Sequence, residues 1–504
     1  IIKLIFLFLI SYYFGDIMAK ISAMDIYKLL PKTNCKKCGG ASCMAFATKL
    51  QNKKAMVEEC PIMNASKFDA KKKELIELLS PPVKEVWFGY DNKKHRAIMG
   101  GDEVMYRYEL TYYNPTPFGI DISDNLSDEE IKERAKYIEN FVFERTGERL
   151  TLDFIALRNA SNDPEKFKNA LKIIQENTKM PITLCSINPK SVEEALKIIN
   201  SKPLIYTATE DNFEKMLNVL LKHKKETNKE FALVLSSKQV KTLRGMVKEC
   251  LNHGIDDLVL EPHTHPENIS ETLDKFIAMR RSAIEKEDKL LGFPLLGLPI
   301  NTYFYTLNNN SISQFIEEPD KAAGIMEART ASTMLIRYAD AIILHGCEIW
   351  ELMPVLTLRQ ALYTDPRKPQ AVDADVYPIG NPDADSPVIM TTNFSLTYYT
   401  VTGDFEKDGV KCWLIVLDTE GKAVDVAVAG GQYNGENAKN LIAEKGLADK
   451  VNHNAIILPG LAAPARGDIE EKTGWNCVVG TRDSSQVGDF LKKNWESILE
   501  KNRK

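Results

Sequence analysis

The chain has 504 residues, 44% of them hydrophobic and 27% charged, and carries a formal net charge of −5. That length suits about three domains of an ordinary globular protein. No basic cluster with interleaved aromatics accompanies the mild negative charge, which leaves nucleic-acid binding without support.

Residues 1–17, IIKLIFLFLISYYFGDI, look like a signal or anchor. The apolar run is short for a membrane span and no A-x-A cleavage site follows. Met18 reads as a cytoplasmic start, so residues 1–17 are expected to be upstream translation, with a membrane anchor as the alternative.

Four of the nine cysteines fall in one segment, with the spacing C-x2-C-x4-C-x16-C through Cys35, Cys38, Cys43 and Cys60. The other five are scattered, and an odd total argues against a disulfide framework. Structural zinc sites usually bring two C-x2-C knuckles or a Cys/His mixture, whereas this segment has one knuckle. Three thiols in nine residues and a fourth from a distance suit the corners of a [4Fe–4S] cluster, with zinc as the rival. Helical patterns surround the cysteines, and SPPVKE at 80–85 marks a boundary. Residues 86–117 contain alternating stretches that suggest capping hairpins.

From Phe118 the pattern becomes strand, helix, strand, helix. Candidate strands lie at 118–123, 152–158, 181–187, 203–209, 231–237, 257–262, 294–300 and 340–346. Eight β/α units over about 240 residues match a closed (β/α)8 barrel, with a doubly wound open sheet as the alternative. Residues 364–387, rich in Pro and Asp, read as a linker or a long ordered loop. Residues 388–504 alternate again, with PVIMTT, CWLIVLD, AVDVAVAG, NAIILPG and NCVVGTR as strand-like stretches between helices. They suggest a flavodoxin-like α/β domain. The expected fold is therefore multidomain α/β: 18–80, a barrel over 81–363, the linker, and 388–504.

Neither G-x-G-x-x-G nor G-x4-G-K-[ST] opens a βα unit, and H-E-x-x-H and G-x-S-x-G are absent. His263 and His265 follow a barrel strand and His345 ends the eighth, but each also reads as an ordinary loop or packed residue. In IMTTNFSLTYYTVTGDF, two threonines end a strand and Asn393 can cap the following helix, which offers a cradle for a ligand. Small residues in AVAGG and LPGLAAPARG leave room for something large and flat, though Gly430 and Gly431 equally suit turns.

Together, LLPKTNCKKCGGASCMAFA, GGDEVMYRYELTYYNPTPF, TTNFSLTYYTVTGDF and LDTEGKAV resemble the large (gamma) subunit of the corrinoid iron–sulfur protein. That family belongs to the acetyl-CoA decarbonylase/synthase complex of methanogens and acetogens, and the lysine-rich composition leans toward the methanogen version. The resemblance implies a cobamide on the C-terminal domain, contacted by Thr391, Thr397, Gly421, Lys422, Ala423, Val424 and Gly460. It also implies a [4Fe–4S] cluster on Cys35, Cys38, Cys43 and Cys60.

The implied activity is that of a methyltransferase component. Co(I) takes a methyl group from a 5-methyltetrahydropterin of the tetrahydrosarcinapterin type, and methyl-Co(III) exchanges it with the acetyl-CoA synthase nickel site. The cluster reductively reactivates Co(II). Implied partners are a delta (small) subunit as heterodimer and the carbon monoxide dehydrogenase and acetyl-CoA synthase subunits, in the cytoplasm. D-x-H-x-x-G is absent, and His453 precedes a strand, so a base-off, His-off cobalt is expected. The rivals are an Rnf-like electron carrier, a self-sufficient pterin methyltransferase and a purely structural subunit.

Overall fold

The computed structural model describes residues 22–52, 54–109, 112–309, 318–364 and 369–504; the expectation for residues 1–17 lies outside them. The described residues divide into two compact units. One is drawn from Ile1–Met105, Tyr112–Asn140 and Leu152–Val355, the other from Tyr106–Thr111, Phe141–Thr151 and Leu356–Lys504.

The first unit begins with helices α1 (Ala23–Leu29), α2 (Cys43–Gln51) and α3 (Asp69–Leu79). Ser22 and Asp25 close α1 with a reciprocal capping box, and the Ser42 hydroxyl caps α2. These helices have a core of their own, with Ile26, Phe46, Leu50, Met63 and Leu75 packed around Cys43 and Cys60. An antiparallel hairpin, Val86–Gly89 with Arg96–Met99, comes next. Its Val86, Phe88, Ala97 and Met99 pack with the inner barrel residues Phe154, Ala156 and Leu204. The hairpin binds near the amino ends of the strands, where the Gly89 N–H donates to Lys202 O at 2.8 Å. Capping is thus observed for this part of 86–117. EVMYRYELTYY forms no strand among the described residues; it runs through turns instead.

The barrel strands are β1 (Phe118–Ser123), β2 (Phe154–Arg158), β3 (Ile182–Cys185), β4 (Leu204–Thr209), β5 (Ala232–Ser236), β6 (Leu258–Glu261), β7 (Leu296–Gly297) and β8 (Ala341–Leu344). They form one parallel sheet in the order β6-β5-β4-β3-β2-β1-β8-β7. A parallel bridge between Leu260 and Leu295 joins its two edges and completes the ring. The closed barrel therefore holds over the open sheet. β7 is two residues long because Pro294 and Pro299 bracket it and neither can donate to a ladder.

Helices α4 (Asp128–Asn140), α5 (Pro164–Asn177), α6 (Pro189–Ile198), α7 (Phe213–Thr227), α8 (Val240–Asn252), α9 (Ile269–Glu285), α10 (Ile300–Asn308), α11 (Pro319–Ile336) and α12 (Ile349–Tyr363) follow the strands, with α10 and α11 both between β7 and β8. Asp163 and Asn188 cap α5 and α6 immediately before a proline at the first helical position, a pre-organised start.

The second unit holds an antiparallel hairpin, Val142–Arg145 with Glu148–Thr151, that the chain inserts between α4 and β2. Gln360 ties it down through Arg145 O at 3.1 Å and Glu148 Oε2 at 2.9 Å. The main sheet comprises β9 (Asp375–Ile379), β10 (Val388–Thr392), β11 (Cys412–Leu417), β12 (Ala455–Leu458) and β13 (Asn476–Val479). Their order is β9-β11-β10-β12-β13, parallel except for β9, which runs antiparallel on β11. The four parallel strands follow the doubly wound order expected of a flavodoxin-like domain.

Helices α13 (Ser395–Asp408), α14 (Val424–Ala429), α15 (Gly435–Glu444), α16 (Leu447–Lys450), α17 (Arg466–Thr473) and α18 (Val487–Asn502) complete the unit. Two expectations need correction. Residues 375–379 of the expected linker form strand β9, whose Pro378 is tolerated because an edge strand does not need every donor. AVDVAVAG forms helix α14: Val424 and Ala427 are buried one turn apart, and six residues of period-two pattern cannot distinguish the two states.

Candidate functional site

Strand order creates a crevice in the C-terminal sheet. The chain leaves β10 through α13 to β11 on one side, then returns across β10 to β12 on the other. Ligands bind at such switch points, outside the carboxyl ends of the strands. Here the crevice opens early: β10 pairs with β12 only through Val388 and Ile389, while its pairing with β11 continues to Thr392.

Thr391 and Thr392 stand at that opening, 2% and 0% exposed. Among the described residues neither hydroxyl has a hydrogen-bond partner, and neither does the buried Tyr433 hydroxyl. Successive strand residues point to opposite faces. Thr392 therefore shares the face of Val388 and Met390, which pack with Val424, Ala427 and Tyr433, and Thr391 the face of Ile389 and Phe405. An unsatisfied buried hydroxyl costs on the order of 1–3 kcal/mol, so Thr391 and Thr392, one on each face of the strand end, each leave a polar atom that a ligand in the crevice could satisfy.

Apolar side chains surround the opening. Among the described residues of 369–504, the exposed large hydrophobics are Leu396 (56%), Val426 (54%) and Leu461 (41%). Each follows the carboxyl end of a different parallel strand: β10, β11 and β12. That arrangement offers a platform for something broad with an apolar face.

Asn393 does not cap α13, whose N-cap is Phe394 with no side-chain bond. Its Oδ1 instead accepts from Thr419 N, Thr419 Oγ1 and Gly421 N, each at 3.0 Å, and its Nδ2 donates to Asp418 at 3.2 Å. This clamp fixes the turn that leads into Lys422, Ala423 and Val424. Gly421 has φ +70°, and a Cβ there would lie 2.8 Å from Pro369, so only glycine suits the turn. Gly460 has a packing reason to be glycine: a Cβ would lie 2.8 Å from Arg482 Cγ, and its N–H donates to Thr481 O at 2.7 Å. Thr397 is half-buried in the first turn of α13. Gly430 ends α14 and Gly431 has φ +75°, the turn roles.

His453 lies ahead of β12, at the opposite edge of the sheet, fully buried. Its Nδ1 accepts from Ala455 N at 3.2 Å, which leaves Nε2–H to donate to Ser386 O at 3.0 Å. Burial holds its pKa below the ordinary histidine value. Both nitrogens are committed.

In the N-terminal helices, Cys43 and Cys60 are buried in the core that Cys38 borders, and Cys35 lies on the preceding loop. Lys32, Asn34, Lys36 and Gly39 all have positive φ. Such left-handed residues turn backbone amides inward, as at many Fe–S sites. The Asn34 N–H already donates to Cys43 Sγ at 3.4 Å. The Lys37 backbone amide and the Thr33 hydroxyl hold the Cys35 thiol below its ordinary value, which favours the thiolate a metal needs.

Among the described residues, no three His, Cys, Asp or Glu side chains gather as one metal ion would require. All four cysteines lie in one small domain. His263 and His265 pack edge to face at 4.4 Å, with no further ligand gathered beside them. His345 pairs with Asp121 at 2.6 Å.

Residues 85–491 match the model CdhD, described as "CO dehydrogenase/acetyl-CoA synthase delta subunit". The acetyl-CoA decarbonylase/synthase complex subunit gamma of Methanocaldococcus jannaschii is 67% identical over 95% of this chain and 97% of its own. The chain belongs to the family of acetyl-CoA decarbonylase/synthase gamma subunits. The family member of Methanothermobacter thermautotrophicus is 47% identical over 94% of this chain and 99% of its own.

Residues 30–62, which contain all four cysteines, match a model described as "Putative Fe-S cluster". Among solved structures, a dihydropteroate synthase of Yersinia pestis is 11% identical, with TM-score 0.37 over 49% of this chain and 92% of its own. That of Thermus thermophilus is 15% identical, with TM-score 0.34 over 49% and 94%. Among the described residues, no helix is long and apolar enough to cross a membrane. The sequence places both threonines at a strand end, names Thr391 alone as a contact and gives Asn393 the role of a cap; Tyr433 and the Asn393 clamp carry no signal beyond the polar run TTN.

Proposed function

We propose that this chain is the large subunit of a methanogen-type corrinoid iron–sulfur protein, a cytoplasmic methyl carrier and methyltransferase component within its complex. The observation that carries the reading is the pair of buried, unpartnered hydroxyls of Thr391 and Thr392 at the switch point, beside exposed Leu396, Val426 and Leu461. A corrinoid combines polar amide arms with a broad apolar macrocycle, which fits that combination. Thr391, Thr397, the Gly421, Lys422, Ala423 and Val424 turn, and Gly460 would hold it.

When bound, the corrinoid supplies a cobalt able to accept and return a methyl group. The protein's part is to seat it, to shield it from water with the apolar platform, and to keep the turn after β11 fixed through Asn393. His453 stays in the core rather than serving as a ligand. Cys35, Cys38, Cys43 and Cys60 would hold a [4Fe–4S] cluster whose electrons restore the methyl-accepting state of the cobalt.

The methyl donor in this reading is a 5-methyltetrahydropterin of the tetrahydrosarcinapterin type. The partners are a delta subunit and the nickel-bearing acetyl-CoA synthase subunit. The test is to add 5-methyltetrahydropterin to the reduced chain with its partner subunit and follow the visible corrinoid bands. Methyl transfer should shift those bands; unchanged bands in cobalt-replete protein would end the reading.

A further inference from the structure

The barrel carries a second polar centre that none of this chemistry uses. On neighbouring strands β2, β1 and β8, Arg158, Asp121 and His345 come together at the carboxyl end, where barrel enzymes place their ligands. Asp121 pairs in register with Ala156, an inner residue, and Arg158 lies two residues on along the same face. One Asp121 oxygen accepts from Arg158 Nε at 2.9 Å and the other from His345 Nδ1 at 2.6 Å. A second guanidinium, that of Arg134, stands 3.5 Å from Asp121 and donates to His345 O at 2.7 Å.

Charge does not balance there. One carboxylate faces two guanidiniums and an imidazole. Burial pushes the Asp121 carboxyl up, but the His345 hydrogen bond and the charges of His345, Arg158 and Arg134 outweigh it, leaving its pKa below the ordinary value. Glu327 accepts from His345 N at 2.7 Å and Gly346 N at 2.8 Å, and burial raises it to about 8; Glu351, beside Gly346, is raised by burial as well. Burial thus favours the neutral form of both acids and weakens their offset of the positive charge.

Donors are also left over. Arg158 spends only Nε, and its terminal nitrogens make no hydrogen bond among the described residues. The guanidinium lies 4.8 Å over the Phe304 ring, which fixes the plane of its fork. His345 is walled by Tyr303 and Phe304 at 4.4 and 4.9 Å, and its Nε2 has no partner among the described residues. Arg158 and His345 retain 35% and 29% side-chain exposure, so both can be reached. Pairing Asp121 needs only one of these cations; a fixed, half-open fork with unused donors matches an incoming oxyanion.

We propose that the carboxyl-end mouth of the barrel binds a small oxyanion group, carboxylate or phosphate, through the free fork of Arg158 and the Nε2 of His345, with Asp121 positioning both. The site stands independently of any corrinoid on the C-terminal domain.

Isothermal titration of the full chain with inorganic phosphate and with succinate, at constant ionic strength, tests it. At least one anion should bind saturably, one per chain. Phosphate alone would point to a phosphate-bearing ligand, succinate alone to a carboxylate, and both to the shared chemistry. Arg158→Gln and His345→Gln, each partly exposed and so expected to fold, should weaken binding about tenfold or more. If one variant fails to fold, the other decides. No saturable binding of either anion, or unchanged binding in a folded variant, overturns the proposal.

Discussion

Asn393 Oδ1 accepts from the Gly421 amide at 3.0 Å, so the residue just after β10 holds the turn that follows β11. The ends of β10 and β11, on one side of the crevice, are thereby locked to each other by one side chain. Replacing Asn393 with Ala frees the amides of Thr419 and Gly421, and the unfolding free energy should fall by about 1–3 kcal/mol. Cobalt occupancy should fall with it. Scanning calorimetry and metal analysis of the same preparation check both; a destabilised variant that keeps full cobalt would separate the turn from the ligand.

The hydroxyls behave differently. In Thr391→Val and Thr392→Val, the shape is kept and an unpartnered buried oxygen is removed. Stability without cofactor should hold or rise by up to about 1 kcal/mol, while cobamide affinity drops roughly fivefold to tenfold per lost bond. Fluorescence-quench titration with a cobamide measures the affinity. Equal loss of stability and affinity would mean that the hydroxyls serve the fold.

Cys60 is buried in the core of α1–α3, a core with no barrel residue in it. Cys60→Ala should lose or degrade the iron–sulfur cluster and leave the barrel and C-terminal unit folded. Iron and acid-labile sulfide should fall together from about four per chain, with the second calorimetric transition intact. Zinc in place of iron, without sulfide, would reverse the reading.

His453 gives a pH prediction. Burial lowers its pKa below the ordinary histidine value. The neutral ring's contribution is therefore complete above that value and is lost as pH falls through the folded pKa. His453→Ala should remove this acid sensitivity and cost about 2–4 kcal/mol through the lost packing on Trp495 and the orphaned Ser386 carbonyl. It should leave the Co(II) electron paramagnetic resonance spectrum unchanged. An axial nitrogen splitting that disappears in the variant would show that the ring is a ligand.

Much of the barrel was legible because parallel strands buried on both faces read as short apolar runs, and FGIDIS matches β1 residue for residue. What failed was local ambiguity. The AVDVAVAG pattern is too short to separate helix from strand, and proline and aspartate in 364–387 hid an edge strand that owes its order to β11. The hairpin at 142–151 gave no apolar alternation to read. In the site, Thr391 and Thr392 were visible as a strand end, but the partnerless state of their hydroxyls and that of Tyr433 among the described residues depends on tertiary burial. The Asn393 clamp spans 28 residues and competes with an equally good local role as a cap.

Counting metals in anaerobically purified full-length protein tests the corrinoid reading most directly. The expected result is about one cobalt beside about four irons per chain, with corrinoid bands in the visible spectrum. Iron at that level with no cobalt, in protein from cobamide-replete cells and after incubation with added cobamide, would contradict it.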